Sequence, residues 1–379
     1  MKIIIAPDSF KGSLTSLEVI SRVRQSAAEH FANVKVVDVP IADGGDGTVE
    51  ALVHATGGRI LHTRARDPLG RIISCVYGDA NGTAVVGMSE SSGLTLLAPQ
   101  ERNPLLASSH GMGHVIQKAL DDGFTDILAG IGGSATNDCG TGALQALGMR
   151  FYREDGSEIE RMCGGELINV ARVDAAALDV RLKAATITVM CDVTNPLTGK
   201  NGATYIYGPQ KGATPGQLEQ LEAGMIRFGN ILNDYARRDV TEMQGAGAAG
   251  GIGAALHVFV GATLCRGIDA VLRLVKFDEL LKGADLVITG EGRVDYQSAF
   301  GKVIHGVASY AKAAHVPIVV IAGGVGEGAE AVYELGVSTI VSLPDAPMKL
   351  EDCIKNADVL IKKAADRLFS LIRLGQSIQ

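Results

Sequence analysis

Short apolar runs recur near both ends of the chain, and each is followed by a polar loop and then by a segment with helical spacing. Residues 2–6 form the first run, and Thr15 with Glu18 three residues later predicts a capping box at the start of a helix. Further apolar runs near the C-terminus lie at 286–289, 318–322 and 339–342. Alternating strands and helices are typical of a parallel sheet covered on both faces. The sequence therefore predicts an α/β fold with one doubly wound, Rossmann-like domain.

The middle of the chain has a different pattern. Residues 59–88 resemble short strands separated by Pro68-Leu69-Gly70 and Asn81-Gly82, and this arrangement is typical of hairpins. The change of pattern predicts a second, inserted domain of mixed α/β type. We expect the first domain to comprise residues 1–63, 98–148 and 284–379, and the second to comprise residues 64–97 and 149–283.

Composition and charge narrow the class of protein. The 379 residues carry a formal net charge of -7 and their Lys and Arg are dispersed, so we expect no nucleic-acid partner. The six cysteines lack zinc-type spacing, which predicts reduced thiols and a cytoplasmic location. Residues 243–265 are uncharged over the length of a membrane span, but their six glycines favour a loop leading into a buried helix. We therefore expect no membrane association.

Four loops that follow predicted strands share glycines, hydroxyls and carboxylates. They are residues 6–13, 42–48, 132–138 and 290–295. Ligands of open parallel sheets bind at the carboxyl ends of strands, and glycines allow backbone N–H groups to approach an anion. One such loop is more often an ordinary turn, whereas four at one sheet edge favour phosphoryl transfer. The residues expected to bind substrate or nucleotide here are Asp8, Ser9, Gly132, Gly133, Ser134, Thr136, Asn137, Gly290 and Gly292.

Charged residues in these and neighbouring loops suggest catalytic roles. Lys11 and Arg293 are expected to neutralise the charge of the transferring phosphoryl group. Asp192 or Glu291 is expected to hold Mg²⁺, because carboxylate oxygens are preferred ligands of this ion.

Two aspartates follow the second predicted strand. Asp43 or Asp46, rather than any histidine, is expected to accept the proton of the substrate hydroxyl. In the alternative interpretation, Asp46 only caps the next helix.

Lys211 lies in a polar loop of the expected second domain. Its side chain could reach a substrate carboxylate across a cleft, and the alternative is a solvated lysine in a turn. The pattern alone does not separate the two interpretations.

Two nucleotide-binding signatures are not supported by the residue pattern. Residues 245–250 match GxGxxG, but no apolar strand precedes them, so the match does not support a dinucleotide site. No GxxxxGK[ST] segment occurs, so a Walker-type NTPase is not expected.

A set of ordered segments carries a family resemblance over almost the whole chain. The segments are IAPDSFKGSL, PIADGGDGTVEA, SSGL, ERNPLLASS, GIGGSATNDCGTG, ALG, CDVTNPL, YGPQKGAT, GAGAAGG, VITGEGRVDYQS and GKV. Together they resemble the bacterial class I glycerate kinases, which phosphorylate D-glycerate at its 2-hydroxyl. The sequence departs from many relatives at Asp46, where a Glu is expected, and at Cys139, where a Gly is expected.

The resemblance implies two α/β domains with the active site in the cleft between them, ATP and Mg²⁺, and a role in glycerate or glyoxylate breakdown. The expected partners are therefore small molecules, D-glycerate and ATP. Phosphorylation at the 3-hydroxyl is the first alternative. A nicotinamide-dependent 2-hydroxyacid dehydrogenase and a non-catalytic sensor are the others.

Overall fold

The computed structural model describes residues 1–42, 44–300 and 303–378, and it divides the chain into two compact units. The first unit comprises Met1–Ala42, His54–Thr56 and Ile268–Gln379. The second unit comprises Asp43–Val53 and Gly57–Gly267. Each is an α/β unit, as the sequence predicts.

The strands, in chain order, are β1 Lys2–Ile5, β2 Lys35–Asp38, β3 Arg59–Arg66, β4 Ile72–Ala80, β5 Thr83–Gly87, β6 Asp126–Gly130, β7 Arg150–Tyr152, β8 Arg172–Asp174, β9 Thr186–Met190, β10 Thr263–Cys265, β11 Leu286–Glu291, β12 Ile318–Ala322 and β13 Val337–Ser342. The α-helices are α1 Ser16–His30, α2 Thr48–Thr56, α3 Ser89–Ser92, α4 His110–Asp121, α5 Thr141–Ala146, α6 Ala203–Tyr207, α7 Pro215–Ala236, α8 Ile252–Val260, α9 Gly267–Leu274, α10 Phe277–Leu281, α11 Val303–Ala313, α12 Ala331–Glu334, α13 Leu350–Lys355 and α14 Ala357–Ile378.

The first unit is built on a five-stranded parallel sheet with the order β13-β12-β11-β1-β2. Alternate residues of β1 and β11, including Ile3 and Ile288, pack in one buried cluster with the apolar faces of α1 and α14. The predicted capping box at the start of α1 is confirmed, because Thr15 Oγ1 accepts from the backbone N–H of Glu18 and the Glu18 carboxylate accepts from that of Thr15.

The second unit contains a six-stranded mixed sheet with the order β10-β9-β6-β5-β4-β3. Strands β3, β4 and β5 are antiparallel, whereas β5, β6, β9 and β10 run parallel. Asn81 and Gly82 join β4 to β5 with φ of 55° and 94°, as expected of a two-residue hairpin turn. The hairpins predicted between residues 59 and 88 are therefore confirmed.

The division of the chain differs from the expected domain boundaries. Residues 44–53, 57–63 and 98–148 lie in the second unit, where β3 pairs with β4 and β6 pairs in parallel with both β5 and β9. Residues 268–283 lie in the first unit, where Phe277 of α10 packs edge-on against Tyr310 of α11. An apolar strand followed by a glycine loop has the same sequence pattern in the parallel sheet of the first unit and in the parallel part of the second sheet. The pattern therefore could not show to which sheet β6 belongs.

Residues 243–265, whose length matches a membrane span, fold into short elements. They form a 3₁₀ turn at Ala248–Gly250, the nine-residue helix α8 and strand β10. The expected glycine-rich loop is confirmed, and the expected buried helix is confirmed for residues 252–256 of α8, whereas its last turn is only partly buried. Across the described residues, every helix is too short or too polar to cross a bilayer.

Candidate functional site

The glycine loop after β6 packs directly against the glycine loop before α2 in the second unit. The Gly132 N–H donates to the Gly44 carbonyl over 2.8 Å, and a Cβ at Gly132 would lie 2.7 Å from the Gly45 Cα. A side chain at position 132 would therefore separate the two loops. This glycine has a packing role besides the binding role expected of it.

Gly133 lies beside the Asp46 carboxylate. It has φ of +71°, and a Cβ there would lie 3.2 Å from Asp46 Oδ1. The Gly133 carbonyl accepts from the Leu94 N–H over 2.8 Å. Within the described part of the chain, the N–H groups of Gly133 and Ser134 donate to no protein acceptor. This turn therefore presents two backbone donors close to a carboxylate.

Lys211 is buried beneath this loop. Only 2% of the residue is exposed, and its Nζ donates to Ser134 Oγ over 2.9 Å and to the Thr136 carbonyl over 2.6 Å. The alternative interpretation of Lys211 as a solvated lysine in a turn is therefore wrong. Burial lowers the pKa of Lys211 to about 7, although Asp138 opposes the shift. In the structure, this side chain contacts the loop itself.

Asp138 fixes the other end of the loop. It is fully buried, and its Oδ2 accepts from the backbone N–H and the hydroxyl of Ser109, both over 2.8 Å. The N–H groups of Gly140 and Gly142 donate to the same carboxylate over 3.2 Å. Burial raises the pKa of Asp138, while these hydrogen bonds oppose the shift. Its position as the last polar residue of the loop was the available signal, but sequence reasoning did not select it.

Thr136 and Asn137 are fully buried inside the loop. Asn137 Nδ2 donates to Thr204 Oγ1 over 3.2 Å. Thr136 Oγ1 and Asn137 Oδ1 are buried polar atoms with no protein partner among the described residues. The helix expected to start near Asn137 begins at Thr141 as the six-residue α5.

The GxGxxG match at residues 245–250 packs against the same loop. The Cys139 N–H donates to the Gly250 carbonyl over 2.8 Å, and a Cβ at Gly250 would lie 2.3 Å from the Thr136 carbonyl oxygen. Gly250 is therefore required for close packing. This contact supports rejection of the dinucleotide interpretation.

Asp46 is exposed and precedes helix α2 by two residues. The position before the helix is Gly47, whose carbonyl accepts from the Ala51 N–H over 3.0 Å. Asp46 therefore does not occupy the N-cap position that the alternative interpretation required. Asp43, the other expected base, lies outside the described residues.

Glu90 is a half-buried acid that sequence reasoning missed. Burial raises its pKa, and the negative charges of Glu50 and Asp46 act in the same direction. Its neighbour Ser89 also borders Gly133, since a Cβ at Gly133 would lie 3.4 Å from the Ser89 Cβ. The only sequence signal was the adjoining SSGL segment.

The first unit brings the ends of β1 and β11 together. The Asp8 N–H donates to the Gly290 carbonyl over 2.8 Å, and Asp8 Oδ1 accepts from the Ser9 N–H over 2.6 Å. A Cβ at Gly292 would lie 3.6 Å from the backbone nitrogen of Lys11, whose residue is exposed. These five expected site residues therefore share one sheet edge.

Glu291 and Arg293 differ sharply in exposure. Glu291 is 9% exposed, and Ser298 donates its hydroxyl to Glu291 Oε1. The Arg293 side chain is 72% exposed and its Nε lies 3.3 Å from Asp295 Oδ2. Arg293 is therefore accessible to an anionic ligand.

The two expected metal ligands belong to different units. Asp192 follows β9 in the second unit, is exposed, and accepts from the Gly267 N–H over 2.8 Å, while Glu291 ends β11 in the first unit. Within the described residues, no three His, Cys, Asp or Glu side chains form a metal-binding group. Mg²⁺ in phosphoryl transfer is commonly held by one or two carboxylates plus substrate phosphates, so the carboxylate chemistry of either residue fits this ion.

Comparison with known proteins places these loops in a family context. Residues 3–373 match the model of the glycerate kinase family. Glycerate kinase from Bacillus subtilis (strain 168) is 42% identical over 100% of this chain and 99% of its own. Glycerate 2-kinase from Escherichia coli (strain K12) is 41% identical over 99% of both chains. A crystal structure assigned as glycerate kinase 2 from Salmonella typhimurium LT2 has a TM-score of 0.87 and 43% identity, covering 100% of this chain and 99% of that one. The chain therefore belongs to the glycerate kinase family.

Proposed function

We propose that this kinase transfers the γ-phosphoryl group of ATP to the 2-hydroxyl of D-glycerate. The glycerate oxygen forms a bond to the γ-phosphorus, the bond between that phosphorus and the β,γ-bridging oxygen breaks, and the products are 2-phospho-D-glycerate, ADP and a proton. The observation that carries the proposal is the glycine loop of residues 132–138. Buried Lys211 donates two hydrogen bonds to this loop, and Asp46 lies beside it. The 41% identity to an enzyme named glycerate 2-kinase supports the choice of hydroxyl.

In the second unit, the loop is proposed to bind phosphate oxygens through the N–H groups of Gly133 and Ser134. Preorganised backbone donors stabilise developing negative charge without reorganising during the reaction. Thr136 and Asn137 retain buried oxygens without protein partners among the described residues, which suits ligand or water contacts in this loop. Lys211 is proposed to position the loop, because both of its hydrogen bonds go to loop atoms.

In the first unit, Lys11 and Arg293 are proposed to neutralise phosphate or carboxylate charge, since both are exposed at the ends of strands. The Asp8, Ser9, Gly290 and Gly292 segment is proposed to line the same binding region. Gly290 also has a packing role, because a Cβ there would lie 2.3 Å from the Ile321 carbonyl oxygen.

A carboxylate of the loop before α2 is proposed to accept the hydroxyl proton. Asp46 is the candidate with described geometry, and Asp43 remains a proposal from the sequence. Attack on a loose, metaphosphate-like centre needs orientation more than strong basicity, so an ionised carboxylate suffices.

Replacement of Asp46 by Asn is expected to lower kcat about 100-fold, because the amide cannot accept the proton. Melting temperature should change little, since Gly47 rather than Asp46 precedes the helix. Steady-state kinetics and thermal unfolding test both statements. Asp234→Asn, which removes an exposed carboxylate from α7, is the matched control. Full kcat in Asp46→Asn across neutral pH would remove Asp46 as the base.

Mg²⁺ is proposed as the metal, with Asp192 or Glu291 among its ligands. When bound, the ion would shield the negative charge of the phosphate oxygens. Asp192→Asn or Glu291→Gln is expected to raise the Mg²⁺ concentration for half-maximal rate about tenfold. Gln at 291 retains an acceptor for the Ser298 hydroxyl, so the change removes charge with little effect on packing.

Magnesium titrations of initial rate, with Asp234→Asn and Glu327→Gln as controls on exposed acids, measure this effect. Unchanged titration curves for both Asp192→Asn and Glu291→Gln would exclude these carboxylates as ligands.

The product of ATP, Mg²⁺ and D-glycerate, identified by ³¹P NMR, tests the proposed reaction. We expect the resonance of 2-phosphoglycerate together with ADP. A resonance of 3-phosphoglycerate would overturn the proposed position of attack. Absence of any phosphorylated acid, with ATP still bound, would instead indicate a sensor, and reduction of a nicotinamide cofactor by D-glycerate would indicate a dehydrogenase.

The proposed setting is the breakdown of glycerate or glyoxylate in the cytoplasm. All six cysteines lie in the described residues and none is disulfide-bonded. Unpaired thiols are usual in a reducing compartment and support this proposal.

A further inference from the structure

Four basic side chains of the second unit surround the turn between β3 and β4. They are Arg66, Arg161, His110 and His114, and we refer to them as the basic cluster. Arg66 Nη1 donates to the Gly70 carbonyl over 3.1 Å. Arg161 Nη2 donates to the carbonyls of Pro68 and Leu106 over 2.9 and 3.1 Å. The two imidazoles, in the first turns of α4, meet edge to face with centroids 4.4 Å apart.

Among the described residues, no carboxylate forms an ion pair with a member of the basic cluster. Burial lowers the pKa of His110 to about 4, and the positive charges of His114, Arg66 and Arg161 act in the same direction. Burial and Arg66 lower the pKa of His114. No carboxylate is among the charges that shift either histidine within the described residues.

The acids of the same turn are already paired. Asp67 is 2% exposed and accepts from the backbone N–H groups of Leu69 and Arg71 and from the Arg71 guanidinium. Glu101 accepts from Arg71 Nη1 over 2.7 Å. These two acids therefore interact with Arg71, which leaves Arg66 and Arg161 without a carboxylate partner among the described residues.

Several hydrogen-bonding groups of the basic cluster also have no partner among the described residues. His110 Nδ1 is buried and has no protein partner among the described residues. Each guanidinium carries five N–H donors, and Arg66 and Arg161 direct only one nitrogen each to a carbonyl. Both arginines are exposed at the surface, so a small ligand can reach them.

We propose that the basic cluster binds a phosphate-bearing small anion, at a site separate from the glycine loop of residues 132–138. Guanidinium groups suit phosphate because their planar N–H pairs match two of its oxygens. A bound anion would supply the missing negative charge. Since a bound anion favours protonated imidazole, binding should raise the pKa of both histidines.

The test follows the histidine resonances of the full chain by NMR while inorganic phosphate is titrated at several pH values. His110→Gln and His114→Gln identify the two signals. We expect phosphate at millimolar concentration to shift both signals and to raise the pKa of both imidazoles. Arg161→Met is expected to weaken this response at least tenfold, because it removes charge-assisted hydrogen bonds.

Two variants separate this site from other binding of phosphate. Arg59→Met removes an exposed guanidinium that pairs with Asp79, and it should leave the response unchanged. Lys211→Met alters the glycine loop and should also leave the response of His110 and His114 intact. No shift of either signal by phosphate would overturn the proposal. An equal loss in Arg59→Met and Arg161→Met would overturn it as well, because binding would then be nonspecific.

Discussion

Lys211→Met is expected to lower kcat/KM for glycerate phosphorylation about 100-fold, the size of effect expected when a binding loop moves by about 1 Å from its productive position. Methionine fills a similar volume but cannot donate to Ser134 Oγ or to the Thr136 carbonyl. The loop would then lose the contact that fixes its central residues. Steady-state kinetics with ATP and glycerate varied in turn give the effect, and Lys200→Met, at an exposed lysine, is the control.

The pH dependence of unfolding gives a second measurement on Lys211→Met. The pKa of Lys211 is lowered from 10.5 to about 7 in the folded chain. Between these values the unfolded chain binds one more proton, so the free energy of unfolding rises with pH by up to about 1.4 kcal/mol per pH unit. The stability linked to neutral Lys211 is therefore fully present above the unfolded pKa of 10.5, and it is lost as pH falls towards the folded pKa of about 7. In urea unfolding, the free energy of unfolding of the wild type should rise with pH over this range. The Lys211→Met variant should lack this rise.

Two results would contradict this role of Lys211. Normal kcat/KM in Lys211→Met would show that the loop keeps its geometry without the ammonium group. An identical pH dependence of unfolding in wild type and variant would show that burial does not lower the pKa of Lys211. Lys211→Arg tests whether a positive charge at this position is enough to maintain kcat/KM. We expect a low kcat/KM in this variant, because a planar guanidinium does not fit the space of a buried ammonium.

Local sequence patterns predicted the elements that depend on nearby residues. Thr15 and Glu18 predicted the start of α1, and Asn81-Gly82 predicted the hairpin between β4 and β5. Both depend on hydrogen bonds or backbone angles within a few residues, and the types of those residues are enough to predict them. The apolar run of β6 was also located, but its sheet was not, since strand pairing is a contact between distant segments.

The candidate site was predictable as a set of loops but not as a set of contacts. Glycines after strands identified the loop of residues 132–138. Lys211 lies 75 residues beyond the Thr136 carbonyl that it binds, and no local pattern reports such a contact. Asp138 and Glu90 were missed for the same reason, because burial and neighbouring charges, rather than residue type, distinguish them.

Gly133→Val is expected to weaken ATP binding about 100-fold or more while the protein remains folded. Valine at φ of +71° is strained, and its Cβ would lie 3.2 Å from Asp46 Oδ1, so the turn must shift. The proposed binding of phosphate by the N–H groups of Gly133 and Ser134 would then be disrupted. We expect the strain itself to cost about 1 to 3 kcal/mol of stability.

Gly261→Val separates anion binding from backbone strain. Gly261 ends α8 in the same unit, has the same φ of +71°, and a Cβ there would meet no atom within 4 Å. Both variants should lose stability in urea unfolding, because both place a β-branched residue in the left-handed region, and Gly133→Val should lose at least as much because its Cβ also has close neighbours. Only Gly133→Val should lose affinity for ATP in calorimetric titration. Equal ATP affinity in the two variants would mean that Gly133 serves the packing of its loop and that phosphate binds elsewhere.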